Sequence, residues 1–143
     1  MNGWPFTAGG GIGIISGQAA VDYATQRVYF TSYERAVAPD NRTAWCPNLL
    51  TGGAVWAKAY TNVAAGPTLR GGRLYVGTNG GQVLALDATN GNLVWSFNTA
   101  DGPVNTIPLG DASAAAGSPT IDTFAGFAYV GTEAGSVYAG QIP

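Results

Sequence analysis

The 143-residue sequence has no histidine, which removes the commonest general base and the commonest metal ligand together. Its one cysteine, Cys46, excludes an intramolecular disulfide and any multi-cysteine zinc site. Only 10% of the residues are charged, lysine occurs once, at Lys58, and the net charge is −2. Such a chain has no basic footprint, so nucleic acid is not expected as a partner. No apolar run reaches about 18 residues, so no membrane-spanning helix is expected. Met1-Asn2-Gly3-Trp4-Pro5 has neither a basic segment nor an apolar core and does not read as a signal peptide.

What remains is 46% hydrophobic and carries 22 glycines, with Val, Thr, Tyr and Trp gathered in short runs. That composition describes an all-β protein with many turns, long enough for one domain with a core. The clearest stretch is Arg73–Phe97. Its β-forming runs Arg73–Thr78 and Gln82–Asp87 are joined by Asn79-Gly80-Gly81, and Asn-Gly is the strongest short hairpin signal. A second turn, Ala88-Thr89-Asn90-Gly91, leads to a third run, Asn92–Phe97. These three runs make a meander.

The meander is one copy of a repeat. Ser16–Ser32 aligns without gaps with Ala116–Thr132, placing Gly17 on Gly117, Val21 on Ile121, Asp22 on Asp122 and Tyr29 on Tyr129. Leu74–Leu86 aligns in the same way with Ala128–Gly140. Each unit reads as four short strands, A to D. In the first unit they are Gln18–Asp22, Arg27–Ser32, Ala44–Asn48 and Ala54–Ala59. In the second they are Pro67–Arg70, Arg73–Thr78, Gln82–Asp87 and Asn92–Phe97, and the third has Pro119–Asp122, Phe127–Thr132 and Ser136–Gln141. Successive B strands lie about 50 positions apart, a period of four-stranded propeller blades.

The expected organisation is one propeller-type domain, residues 1–143, with blades at 14–60 and 64–99 and a partial blade at 116–142. Trp4-Pro5-Phe6-Thr7 resembles Trp95-Ser96-Phe97-Asn98, so residues 2–8 read as the end of a D strand. Rings are built of about four to eight blades, so one copy is not expected to close a ring. Either the chain is a fragment of a longer propeller, or copies assemble as a homo-oligomer, such as two chains forming a six-blade ring. The sheet edges that a lone copy would leave open favour the fragment.

Ala85-x-Asp87-x-x-x-Gly91-x-x-x-Trp95 resembles the tryptophan-docking motif of the PQQ-like (quinoprotein) β-propeller repeat family. That family includes PQQ-dependent alcohol and polyvinyl alcohol dehydrogenases and non-catalytic BamB-type propellers. The spacing has a physical logic: Ala85 leaves room for an indole, Asp87 bonds turn amides, Gly91 supplies a positive φ, and Trp95 buries a ring whose N–H finds an acceptor. The first blade carries a degraded copy, Cys46-x-Asn48-x-x-x-Gly52-x-x-x-Trp56, and the third lacks it. Trp56 and Trp95 are thus read as blade-to-blade staples, and Cys46 as a structural thiol.

Two departures from the repeat are candidates for ligand contact. The B–C excursion Tyr33–Arg42 carries Glu34, Arg35, Asp40 and Arg42, and the D–A connection Ala100–Ala115 carries Asp101, Asn105 and Asp111. Such loops share a propeller face and lengthen the repeat, which is where binding often resides. Asn41-Arg42-Thr43 also fits a glycosylation sequon. The resemblance implies that catalytic members hold PQQ beside calcium or a lanthanide, with an Asp base and vicinal cysteines. No position here matches those residue by residue. The expectation is a non-catalytic scaffold or binding module without a cofactor, with other blades as partners. The alternative is part of a PQQ-dependent dehydrogenase of alcohols or sugars, using PQQ and Ca²⁺, and a third idea is peptide binding at exposed strand edges. A periplasmic or extracellular location follows from the resemblance only.

Overall fold

Short β-forming runs pair with their sequence neighbours, because the connections of two to six residues that join all of these pairs but β2–β3 are cheap to close. The computed structural model describes residues 4–6, 12, 15, 17–32, 43–60, 63, 66–78, 81–99, 118–132 and 135–143. In it, β1 (Ala20–Asp22), β2 (Arg27–Thr31), β3 (Ala44–Pro47) and β4 (Ala54–Lys58) form one antiparallel sheet in chain order. The second sheet holds β5 (Thr68–Arg70), β6 (Arg73–Gly77), β7 (Gln82–Asp87) and β8 (Leu93–Asn98) in the same order. The third holds β9 (Thr120–Asp122), β10 (Phe127–Gly131) and β11 (Val137–Gln141). Strands β1, β5 and β9 lie side by side without pairing, so the three meanders radiate like propeller blades and do not close a ring.

The strands lie within two residues of the sequence expectation. The largest departure is β1, which begins at Ala20 and not at Gln18. There the backbone of Gly66 comes so close that a Cβ on it would stand 2.6 Å from the Gln18 carbonyl oxygen. Asn79 and Gly80, the expected hairpin tip, lie outside the described residues. The bonds that flank the tip are Thr78 N–H to the Gln82 carbonyl at 2.8 Å and Gly81 N–H to the Thr78 carbonyl at 3.1 Å.

The A–B and C–D turns repeat from blade to blade. Asp22 Oδ1 accepts from the amides of Ala24 and Thr25, Asp122 Oδ1 from Phe124 and Ala125, and Asn48 Oδ1 from Leu50 and Thr51. Just beyond each C strand an amide N–H bonds back to the tip of that blade's A–B turn: Leu49 to the Gln26 carbonyl, Ala88 to Gly72 and Ile142 to Gly126, at 2.7–2.9 Å. Those three acceptors all have positive φ, 55° at Gln26, 73° at Gly72 and 75° at Gly126. The first blade therefore uses glutamine where the others use the residue that adopts this conformation freely.

The core sits between sheets. Tyr29, Ala44, Cys46 and Trp56 of the first blade pack against Leu74, Val76, Leu84 and Leu86 of the second. Val83, Trp95 and Phe97 of the second meet Val130 and Tyr138 of the third. Each large side chain buried in this way contributes about 1.5–3 kcal/mol. The recurrent strand B tyrosines show what a following blade supplies. Tyr29 is 1% and Tyr75 2% exposed, whereas Tyr129, on the last blade, is 37% exposed.

Candidate functional site

The candidate ligand loops, with Glu34, Arg35, Asp40 and Arg42 in one and Asp101, Asn105 and Asp111 in the other, lie outside the described residues, as does the Asn41-Arg42 half of the sequon. The geometry that is described concerns the grooves between blades, and there are two of them.

In the first groove, the second blade's turn Asp87–Gly91 is held through its carbonyls. Trp56 Nε1 donates to the Ala88 oxygen at 3.0 Å, Arg27 Nη1 to the Ala88 and Thr89 oxygens at 3.0 Å each, and the Tyr60 hydroxyl to the Gly91 oxygen at 2.7 Å. Within the turn, Asp87 Oδ1 accepts from Thr89 N–H at 2.7 Å, and Gly91 has φ 74°. Ala85 is fully buried opposite Trp95 and Cys46 lies opposite Trp56, and both sheets carry a register shift immediately after that pair. Trp95 is half-buried and stacks with Phe97 at 6.2 Å, and Phe97 covers Gly140.

The contact recurs. Trp4 Nε1 donates to the Leu49 carbonyl at 3.0 Å, and Leu49 follows Asn48 as Ala88 follows Asp87. Phe6 packs edge-on against Phe30 and Trp45 at 5.9 Å. Arg73 Nη1 donates to the Pro143 carbonyl at 2.6 Å, as Arg27 does to the turn of its neighbour. Sequence reasoning missed the arginines. Their signal was present, because Arg27 and Arg73 both open strand B.

The second groove, between the second and third blades, contains a cavity of about 330 Å³ lined by Arg70, Arg73, Tyr75, Thr123, Gly126 and Ile142, among others. Arg70 and Arg73 are direct partners across the β5–β6 hairpin. Cys46, fully buried in the first interface, is not part of this cavity; burial pushes its thiol up to about 11, which Arg27 weakly opposes. Among the described residues no three Asp, Glu or Cys side chains cluster as a metal site. Asp22, Asp87 and Asp122 are each engaged by their own turn. These residues therefore do not fit a calcium ion, which takes about six to eight oxygen ligands, and no step through PQQ and calcium follows from them. No helix of the described residues is long and apolar enough to cross a membrane.

Comparison with known proteins places this architecture. A family model described as outer membrane protein assembly factor BamB matches residues 36–139. No curated protein matches the chain significantly by sequence. Among solved structures, BamB from Moraxella catarrhalis is similar with a TM-score of 0.62 at 19% identity, over 90% of this chain and 34% of that one. The quinohemoprotein alcohol dehydrogenase from Comamonas testosteroni gives 0.60 at 19% identity, over 85% of this chain and 17% of that one. The computationally designed Ika4 protein gives 0.54 at 11% identity, over 92% of each. The chain thus spans about a third of the BamB chain and about a sixth of the dehydrogenase, and at these identities the likeness is one of fold.

Proposed function

The chain belongs to the PQQ-like propeller family whose model is described as outer membrane protein assembly factor BamB, and on that footing we propose that it is a non-catalytic propeller module. It acts as a scaffold or binding platform completed by further blades, either within a longer chain or from further copies. The observation that carries this reading is the pairing of two interface halves. Trp4 makes onto the first blade the contact that Trp56 makes onto the second. The third sheet has three strands among the described residues, and Val137 on its outer strand β11 is 78% exposed. A D-type segment without its sheet and a sheet without its D strand are complementary surfaces.

Light scattering on the 143-residue chain tests the assembled form: a well-behaved monomer in solution would sink it and leave the longer propeller. Tight PQQ binding, or dye reduction with an alcohol or sugar in the presence of PQQ and Ca²⁺, would overturn the non-catalytic reading. The second reading, a portion of a PQQ-dependent dehydrogenase, draws support from a likeness of fold to the Comamonas enzyme nearly as close as that to BamB. A longer reading frame with a vicinal cysteine pair in additional blades would favour it. For either reading we propose a location outside the cytoplasm, in keeping with a family named for outer-membrane assembly. Fractionation of the native host that recovers the protein in the cytoplasm would refute that location.

A further inference from the structure

We propose that Asn90-Gly91, in the C–D turn of the second blade, is a latent modification site: the asparagine deamidates through its glycine neighbour once the first blade lets go of the turn. The reaction needs only the chain and water. The amide nitrogen that follows an asparagine gives its proton to solvent and attacks the side-chain Cγ. The N–Cγ bond forms, the Cγ–Nδ2 bond breaks, and ammonia leaves with a proton from solvent. Water then opens the five-membered imide at either carbonyl, giving aspartate or isoaspartate. Glycine is the most permissive successor, because it has no Cβ to obstruct the attack. Asn90 is exposed, so water reaches its side chain, whereas Gly91 is buried.

Two locks act on the Gly91 nitrogen. One belongs to the turn itself: Gly91 N–H donates to the Asp87 carbonyl at 2.7 Å, and Asn90 Oδ1 accepts from Asn92 N–H at 2.9 Å. Attack requires that N–H to leave its carbonyl and the Asn90–Gly91 peptide to rotate toward the side chain. The rotation swings the Gly91 Cα, and here the first blade supplies the other lock. The Tyr60 hydroxyl holds the Gly91 oxygen at 2.7 Å. The Trp56 ring and Lys58 Cγ crowd the position of a Cβ on Gly91, at 2.6–2.9 Å. Trp56 and Arg27 hold the Ala88 and Thr89 carbonyls at the other end of the turn. Isoaspartate would add one methylene to the main chain ahead of Gly91, moving the glycine from under Trp56 and away from Tyr60. Modification therefore keeps apart the two blades whose separation allowed it. The site rests on the geometry of the first groove alone and is the same in a scaffold and in a dehydrogenase fragment.

Peptide mapping by mass spectrometry tests the site on the 143-residue chain, with isoaspartate at position 90 followed over time in mildly alkaline buffer. The same chain unfolded in guanidinium chloride gives the unprotected rate. The folded parent is expected to react about tenfold more slowly or less, because attack waits on a local opening. Tyr60→Phe should react about fivefold faster than the folded parent, the effect of one neutral hydrogen bond on such an opening. Trp56→Phe should also be faster, and it carries the comparison if circular dichroism shows Tyr60→Phe unfolded. A folded parent that reacts at the unfolded rate would overturn the proposal. So would folded variants that react no faster than the parent, because the protection would then belong to the turn alone. The purified chain carrying isoaspartate in place of Asn90 should melt below the parent, and an unchanged melting temperature would refute the loss of docking.

Discussion

The indole of Trp56 occupies the space that a side chain at Gly91 would need: a Cβ built there stands 2.6 Å from Trp56 Cε3 and 2.8 Å from Cζ3. One blade's tryptophan therefore depends on the next blade's glycine, and the carbonyls of Ala88 and of Gly91 itself are bonded by the same neighbouring blade.

Gly91→Ala should be more damaging than an ordinary glycine substitution. The left-handed φ of 74° costs a non-glycine residue about 1–2 kcal/mol, and the clash with Trp56 adds to it. Gly71, with φ 56° and nothing within 4 Å of its built Cβ, isolates the backbone part. Urea unfolding should show a loss for Gly91→Ala about twice that for Gly71→Ala or more, and equal losses would contradict the packing described.

Trp56 and Arg27 share the Ala88 carbonyl, so their contributions should not add. Trp56→Phe removes one hydrogen bond, worth about 1 kcal/mol, and Arg27→Gln removes the guanidinium's two, to the Ala88 and Thr89 carbonyls. Groups that share one partner couple by about 0.5–3 kcal/mol. A double-mutant cycle in urea should give a coupling within that span, and simple additivity would argue against a joint clamp.

Cys46 should make the fold sensitive to alkali. Burial raises its thiol from 9.0 to about 11, so between those values the native state holds a proton that the unfolded chain has lost. Its contribution is complete below about pH 9 and disappears as pH rises toward 11, on the order of 2–3 kcal/mol. Burial also raises the phenols of Tyr29 and Tyr60, which act in the same direction at higher pH. Comparing the parent with Cys46→Ala at pH 8 and pH 10.5 separates the thiol, because the variant should lose less stability over that interval.

Gln26→Gly should raise the melting temperature. The first blade places glutamine at φ 55°, where its repeats use Gly72 and Gly126. Relief of the left-handed strain, about 1–2 kcal/mol, outweighs the added freedom of the unfolded chain, roughly 0.5–1 kcal/mol. The net gain is expected to be below about 1.5 kcal/mol by thermal unfolding, and a loss would mean that the glutamine side chain makes an offsetting contact.

Much of the architecture was legible in the sequence because each strand pairs with its neighbour in the chain. The hairpin of Arg73–Thr78 and Gln82–Asp87 needed only turn chemistry and β-forming runs to be found. The candidate loops offered no comparable pattern: Tyr33–Arg42 and Ala100–Ala115 were singled out for leaving the repeat, and both fall outside the described residues. The groove cavity was missed for another reason. Arg70 and Arg73 were visible as residues, but they border one cavity only through their pairing across β5 and β6 and the approach of the third blade.

The sequence by itself determined the local order: which runs are strands, where they turn, and that the unit repeats. Those features rest on period-two patterning and positive-φ residues, which act over a few positions of chain. Only the tertiary structure decided what faces what between blades. It put Trp56 and Arg27 on Ala88, Trp4 on Leu49, and Arg70 and Arg73 beside a cavity with Tyr75. Such contacts join residues far apart in the chain through backbone carbonyls, and a carbonyl carries no side-chain identity for a sequence to display.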